Sequence, residues 1–277
     1  MTRVAVVTGA NQGLGYALAS SLCRTWAPED VVYLTARDAA RGDEAIASLR
    51  SRGLAPRLGV LDVDVPDSIE RFAAMLEHEH GGVDLVISNA ARRMDPAMPP
   101  ASQVRAFVTT NNLGTTRVIE QFGPLLRDGA RLLVVASSFG RLRHLAEPMR
   151  ARFDRAESLR AVDDVMLSYA GAVERGVAAA EGWPEWINVA SKVGQVATMR
   201  VFAHAMRDEA ERRGLVIDAV CPGLIDTAAS RPWFSDMSAA QTPDAAAVDV
   251  VWLATAPRAE VPYGELVRHR AVLDWSA

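Results

Sequence analysis

Short runs of uninterrupted apolar residues recur along the chain, and each is followed by a longer stretch with helical periodicity. RVAVVTG (3–9), VVYLTA (31–36), PRLGVLDV (56–63), VDLVISNA (83–90), RLLVVASS (131–138) and LVIDAVCPG (215–223) read as strands, with a short strand near 264–268. Between them the spacing predicts helices near 14–26, 38–52, 67–80, 101–127, 187–213 and 243–256. Strands that are apolar on both faces and alternate with helices imply a parallel sheet covered on both sides. The expected architecture is therefore α/β: a Rossmann-type, doubly wound parallel sheet in three α/β/α layers, forming one domain over residues 1–277.

Residues 141–182 break that rhythm. The segment is charged and mixed, and the spacing of Leu159, Val162, Val165 and Met166 suggests helices laid over the body. It is too long for a plain connection. An insertion here forms either a lid or wall beside the active site or a plug on a surface where relatives associate.

Bulk properties remove several classes of function. A net charge of −4 with no basic run argues against a nucleic-acid surface. No stretch reaches the roughly 18 apolar residues of a membrane span, and MTRVAVVTGA lacks the form of a signal peptide. Cys23 and Cys221 are the only cysteines. They read as buried thiols in a reducing cytoplasm. No metal-ligand cluster stands out. Arginine and alanine are abundant and Lys192 is the only lysine, a bias that suggests GC-rich, bacterial coding.

The first strand runs into TGANQGLG (8–15), where Gly9, Gly13 and Gly15 precede a helix. Glycine lets the backbone approach a pyrophosphate, and the helix N-terminus offers unpaired N–H groups. The strand before and helix after make this a dinucleotide signal rather than a plain tight turn. The second strand ends in Ala36-Arg37-Asp38. A carboxylate there reads a ribose 2′-hydroxyl, whereas a guanidinium suits a 2′-phosphate, so Arg37 favours NADP over NAD. Asp38 opens the next helix as an N-terminal charge. Asp62, ending the third strand, can accept from an adenine amino group or serve as a cap.

Taken together, TGANQGLG, LDVD (61–64), SNAA (88–91), TNNLG (110–114), VVASSFG (134–140), NVASK (188–192) and CPGLIDT (221–227) resemble the short-chain dehydrogenase/reductase superfamily over nearly the whole chain. The TAR strand end, the 141–182 segment and the GWP at 182–184 resemble its carbonyl reductase branch, whose members include NADPH-using monomers. The resemblance implies that NADP(H) is held by Gly9, Asn11, Gln12, Gly13, Leu14, Gly15, Arg37, Asp62, Val63, Asn89, Ala90, Lys192, Pro222, Gly223 and Thr227. It implies that Asn111 holds a helix kink and a relay water, and that Ser137, with Ser138 as rival, bonds the substrate oxygen. Lys192 binds the nicotinamide ribose and lowers a neighbouring pKa. Three departures stand out: Ala91 replaces a glycine, Gln12 stands where related reductases place a basic residue, and Asn188 stands where the family has its catalytic tyrosine.

That last departure governs the chemistry. The tyrosine is the family's proton donor in ketone reduction, and a carboxamide donates a hydrogen bond but delivers no proton at neutral pH. Losing a positioned acid costs roughly 10²–10⁴ in rate. Tyr16, Tyr33 and Tyr263 have no lysine four residues on. Tyr169 and His144 could hang over the pocket as substitute acids, or else pack in the core and sit on the surface. Trp183, Trp186 and Trp233 frame a pocket for a flat or apolar substrate, or serve as core. Three readings follow: an atypical NADPH-dependent carbonyl reductase with Asn111, Ser137, Asn188 and Lys192 at its centre; a non-redox enzyme such as a cyclase, dehydratase or isomerase in natural-product biosynthesis, with an Asn188–Ser137 clamp for an enolate; or a nucleotide-binding pseudoenzyme. The expected partner is a small-molecule substrate, with no nucleic acid or membrane; the third reading adds a protein partner, and the cytoplasmic chain is expected as a monomer or else a weak homo-oligomer.

Overall fold

A computed structural model describes residues 2–276. Eight strands form one sheet in the order β3-β2-β1-β4-β5-β6-β7-β8. They are β1 (Val4–Val7), β2 (Val31–Ala36), β3 (Arg57–Val60), β4 (Val83–Ser88), β5 (Leu126–Val135), β6 (Val216–Val220), β7 (Leu266–Arg268) and β8 (Ala271–Leu273). The first seven run parallel, and β8 adds an antiparallel edge to β7. The order reverses between β1 and β4, and at such a switch point the loops leaving the two strands part to open a crevice.

The helices are α1 (Gly13–Thr25), α2 (Ala39–Arg50), α3 (Pro66–His80), α4 (Pro100–Val108), α5 (Gly114–Phe122), α6 (Glu147–Asp154), α7 (Leu159–Glu174), α8 (Ile187–Ala205), α9 (Arg207–Arg213) and α10 (Pro243–Thr255). One apolar cluster packs α3, α5 and α8 against one face of the sheet. A second packs α1, α2 and α10 against the other. The three-layer α/β/α expectation therefore holds.

Several expected boundaries shift. The single helix expected near 101–127 is α4 and α5, joined by a π-helical turn at Thr109–Leu113. The helix expected over 187–213 breaks at Met206 into α8 and α9. β5 starts at Leu126, five residues before the apolar run begins. Its first residues, LRDGA, pair with β4 through Val83↔Leu126 across a register shift.

Residues 141–182 carry α6 and α7. α7 packs against α4 and α8, building a third apolar cluster around Val162, Met166, Tyr169 and Trp183. Gly194 permits this approach: a Cβ there would lie 2.6 Å from both Met166 Sδ and Asn112 Nδ2. A Thr116 hydroxyl on α5 donates to Asp163 Oδ1 on α7 at 2.8 Å.

Candidate active site

The glycine turn after β1 is shaped by close backbone approach. Gly9 has φ +61°, and an added Cβ would sit 2.7 Å from Ala90 Cα. One at Gly15 would meet Asn89 Nδ2 at 2.6 Å and Gly9 O at 2.7 Å. Asn89 locks the turn from β4: its Nδ2 donates to Thr8 O (2.9 Å) and Gly9 O (3.2 Å), and its N–H to Thr8 Oγ1 (2.9 Å). Gln12 starts α1 without a side-chain cap, and no acidic residue occupies the first turn. The N–H groups of that turn, with the positive end of the helix dipole, are left for an anion.

A cleft of about 460 Å³ opens from this turn. Gly9, Gln12, Gly13, Leu14 and Gly15 border it, as do Asn89 and Asn111. Ser137, Ser138, Asn188 and Lys192 also line it, as do Pro222, Gly223 and Thr227. Thr227 returns towards the glycine turn, its Cγ2 lying 3.8 Å from a Cβ built at Gly13.

The remaining expected cofactor residues stand off the cleft lining. Arg37 is exposed at the end of β2, and among the described residues its guanidinium has no hydrogen bond or ion pair. Asp38 caps α2 by accepting from Arg41 N at 3.1 Å. Asp62 does not cap α3: one carboxylate oxygen accepts from Asp64 N at 3.0 Å, and its N–H donates to Ser68 Oγ at 3.0 Å. Val63 is buried under Gly114, while Ala90, against Gly9, and Asn11, in the turn, are half-buried.

Lys192 lies one turn beyond Asn188 on α8. Its Nζ donates to Val135 O at 3.1 Å and to Gln195 Oε1 at 2.8 Å. Burial lowers its pKa to about 8, and nearby Cys221 opposes the shift. Asn111 lies in the π-turn with its Oδ1 accepting from Arg92 N at 2.7 Å. Ser191 and Asn112 exchange two hydrogen bonds of 2.9 Å, fixing α8 to that turn. Ser137 Oγ accepts from Phe139 N at 3.2 Å, while Ser138 N donates to Cys221 Sγ at 3.0 Å.

Neither substitute acid reaches the cleft. Tyr169 is fully buried, with its ring 4.7 Å from that of Trp183 and its hydroxyl unpartnered. Burial raises its pKa. The Nε2 of His144 sits 3.2 Å from Ser138 O, and its ring packs on Phe139. Desolvation lowers its pKa. Trp183 belongs to the third apolar cluster.

Trp186 and Trp233 do border the cleft, joined by two residues the sequence reading passed over. Trp186 packs edge-on against Phe139 at 5.3 Å and Phe234 at 6.0 Å, and lies 6.1 Å from Trp233. Phe139 stood in plain view two residues after Ser137. Gln195 was also passed over, although it lies on the Lys192 face of the helix, three residues on.

A family profile described as short chain dehydrogenase matches residues 3–149. The chain is 33% identical over 280 residues to carbonyl reductase [NADPH] 3 of Mus musculus, covering 99% of each chain. It is 33% identical over 279 residues to carbonyl reductase [NADPH] 1 of Rattus norvegicus, covering 98% of each. The fold matches salutaridine reductase from Papaver somniferum, with a TM-score of 0.77, 22% identity, 95% of this chain and 99% of the other covered. It also matches menthone neomenthol reductase from Mentha piperita, with a TM-score of 0.75, 22% identity, 97% of this chain and 99% of the other covered. With a glycine turn at the switch point and near full-length relatives among the carbonyl reductases, the chain belongs to the short-chain dehydrogenase family of oxidoreductases.

Proposed function

We propose that this protein binds NADP(H) in the cleft and acts on the carbonyl or enol group of a small, flat, apolar molecule, with Asn188 in the place of the family's tyrosine. The supporting observation is that Ser137, Asn188 and Lys192 border one cleft with the glycine turn. The residues present fit the dinucleotide: at Gly9 and Gly15 the turn has no room for a side chain, and the first turn of α1 is uncapped. Arg37, exposed and without a carboxylate partner, would take the 2′-phosphate. The NADPH named for the relatives agrees with that choice.

When bound, the nicotinamide supplies or accepts the hydride. The chain's own groups would hold the substrate oxygen: Ser137 Oγ through its hydroxyl proton and Asn188 through its carboxamide N–H, both donors to developing negative charge. The Lys192 ammonium adds a fixed positive charge beneath them. Phe139, Trp186, Trp233 and Phe234 would clasp a flat substrate. Among these side chains only Lys192 carries an acidic proton, and neither Ser137 nor Asn188 can release one, so the product oxygen takes its proton from water in the cleft, to which the Lys192 ammonium also turns its third N–H.

The test is purified protein with NADPH and a panel of aromatic ketones and quinones, followed at 340 nm. Slow but saturable NADPH oxidation is expected. No oxidation with any member would remove the reductase reading. Asn188 also favours a second reading, in which Ser137 and Asn188 clamp an enolate and the site performs cyclisation, dehydration or isomerisation without net redox change. That reading requires turnover indifferent to whether NADP⁺ or NADPH is supplied, and dependence on one form would reject it. A monomer is expected in either case, since α7 occupies the flank of α4 and α8.

A further inference from the structure

Glutamine is costly to bury unless its amide is paired on both sides. Gln195 is 1% exposed in the middle of α8, and both its polar atoms are engaged. Its Oε1 accepts from Lys192 Nζ at 2.8 Å, and its Nε2 donates to Thr115 Oγ1 at 3.2 Å. Thr115, itself 2% exposed, donates to Asn111 O at 2.7 Å. A continuous chain thus leads from the ammonium beside the cleft to the backbone of the π-turn. An ammonium has only donors, so it faces the carboxamide oxygen, and the amide nitrogen must face Thr115. The Thr115 hydroxyl, accepting from that nitrogen, spends its proton on the Asn111 carbonyl.

We propose that Gln195 is the positioning residue of Lys192: its carboxamide ties the ammonium to the π-turn through Thr115, leaves one N–H for the cleft, and closes the interior to proton transfer. The count of donors carries the second part. Of three ammonium N–H groups, one goes to Val135 O and one to Gln195, so the third faces the cleft. The sense of the chain carries the third part. A proton passes along hydrogen bonds only where each member can both take up and release one, and a carboxamide does neither at neutral pH. The chain also ends on a carbonyl. Lys192 therefore acts as a fixed cation and donor, and its protons exchange with solvent through the cleft alone. Only the bearing of this on catalysis rests on the function proposed above.

The chain's single lysine makes the test direct. Protein grown on lysine labelled with ¹³C at Cε and ¹⁵N at Nζ, carrying no lysine in its tag, gives one lysine signal, and no cofactor is needed. Its titration is followed from about pH 6 to pH 11 in the wild type, Gln195→Leu, Gln195→Ala and Gln195→Glu. Cys221 is the ionisable neighbour that bears on Lys192, and it is common to all four. Leucine fills the space without an acceptor, so the Lys192 midpoint should fall by about one pH unit, tenfold in protonation constant. Alanine leaves room for water between Lys192 and Thr115, so the fall should be smaller. Glutamate keeps the acceptor and adds charge, so the midpoint should rise above that of the wild type. Wild-type Nζ–H exchange with water should run through the cleft alone, and Gln195→Ala, which admits water between Lys192 and Thr115, should speed it several-fold.

A folded Gln195→Leu protein with an unchanged midpoint would overturn the tie. Should that variant not fold, a Gln195→Glu midpoint at or below the wild-type value would do the same. Equal Nζ–H exchange in wild type and Gln195→Ala would overturn the closed interior. Absence of NADPH turnover, with these titrations as expected, would count against the proposed function alone.

Discussion

Asn188 and Lys192 stand one turn apart on α8 and border the same cleft, yet the ammonium is engaged inward, on Val135 O and Gln195 Oε1. Residues four apart on a helix share a face, so a longer side chain at 188 would project over the same space. Asn188→Tyr would place a phenol near the cation that favours its ionisation. Reduction of aromatic ketones should rise by about 10²-fold or more, the range set by a positioned acid. The check is kcat at pH 7 for wild type and variant. A flat result would mean that the substrate oxygen lies elsewhere in the cleft.

Much of this arrangement was legible because it is local. The glycine turn shows in the sequence because strand, turn and helix adjoin there, and the backbone geometry at Gly9 admits little else. The strands of the sheet centre show because they are apolar on both faces. β8 did not show, since Ala271–Leu273 is a three-residue edge with two exposed positions and no pattern. The π-turn is equally silent: one extra residue in a turn scarcely disturbs an apolar spacing that continues on both sides. Gln195 reads as an ordinary polar helix residue until α5 brings Thr115 against it. For Tyr169 and His144 the sequence leaves substitute acid and packing or surface residue both open, because their distance from the cleft is set by how α7 and the turn after β5 pack.

The glycine turn should tolerate no methyl at Gly9. A left-handed φ costs a non-glycine residue about 1–2 kcal/mol, and the added Cβ would press on Ala90 Cα at 2.7 Å. Gly129 shares the backbone conformation, φ +77°, with nothing within 4 Å of a built Cβ, and so isolates the first cost. Gly9→Ala should weaken NADPH binding at least about tenfold, while Gly129→Ala leaves it unchanged and loses only the 1–2 kcal/mol of backbone strain. Fluorescence titration and thermal melts separate the two.

Arg37 is the expected reader of the 2′-phosphate. A hydrogen bond to a charged partner is worth about 1.5–3 kcal/mol. Arg37→Asp should therefore weaken NADPH by about 10- to 100-fold and bring NADH to comparable or tighter binding, measured by calorimetry. Equal loss for both dinucleotides would place the phosphate elsewhere.

Lys192 also links stability to pH. Its pKa is lowered from 10.5 to about 8 in the folded protein. Between those values the unfolded chain holds the proton and the folded chain does not, so this residue makes stability rise with pH from about 8 upward. Cys23 acts oppositely above pH 9, its thiol being pushed up to about 11 by burial. The two are separated by comparing wild type with Lys192→Met, in which Cys23 is unchanged. Urea midpoints should show the wild type gaining on the variant by about 1 kcal/mol between pH 8 and 9.

Asp163 gives the reverse dependence on the other side of neutrality. Its carboxyl, on α7 against Thr116 of α5, is pushed up to about 6, chiefly by burial. Glu120 and Asp164 add to the rise, while the Thr116 hydroxyl and Arg117 oppose it. The folded protein therefore keeps this proton between about pH 4 and 6 while the unfolded chain loses it, and stability contributed here falls as pH rises through that window. Asp163→Asn keeps an acceptor for Thr116 Oγ1 and removes the charge. It should match the wild type near pH 4, gain on it up to pH 6, and hold an advantage of about 1–2 kcal/mol at neutral pH. Thermal melts at pH 4, 5, 6 and 7 make the comparison, and an advantage that does not change with pH would show that the carboxylate is solvated rather than buried between α7 and α5.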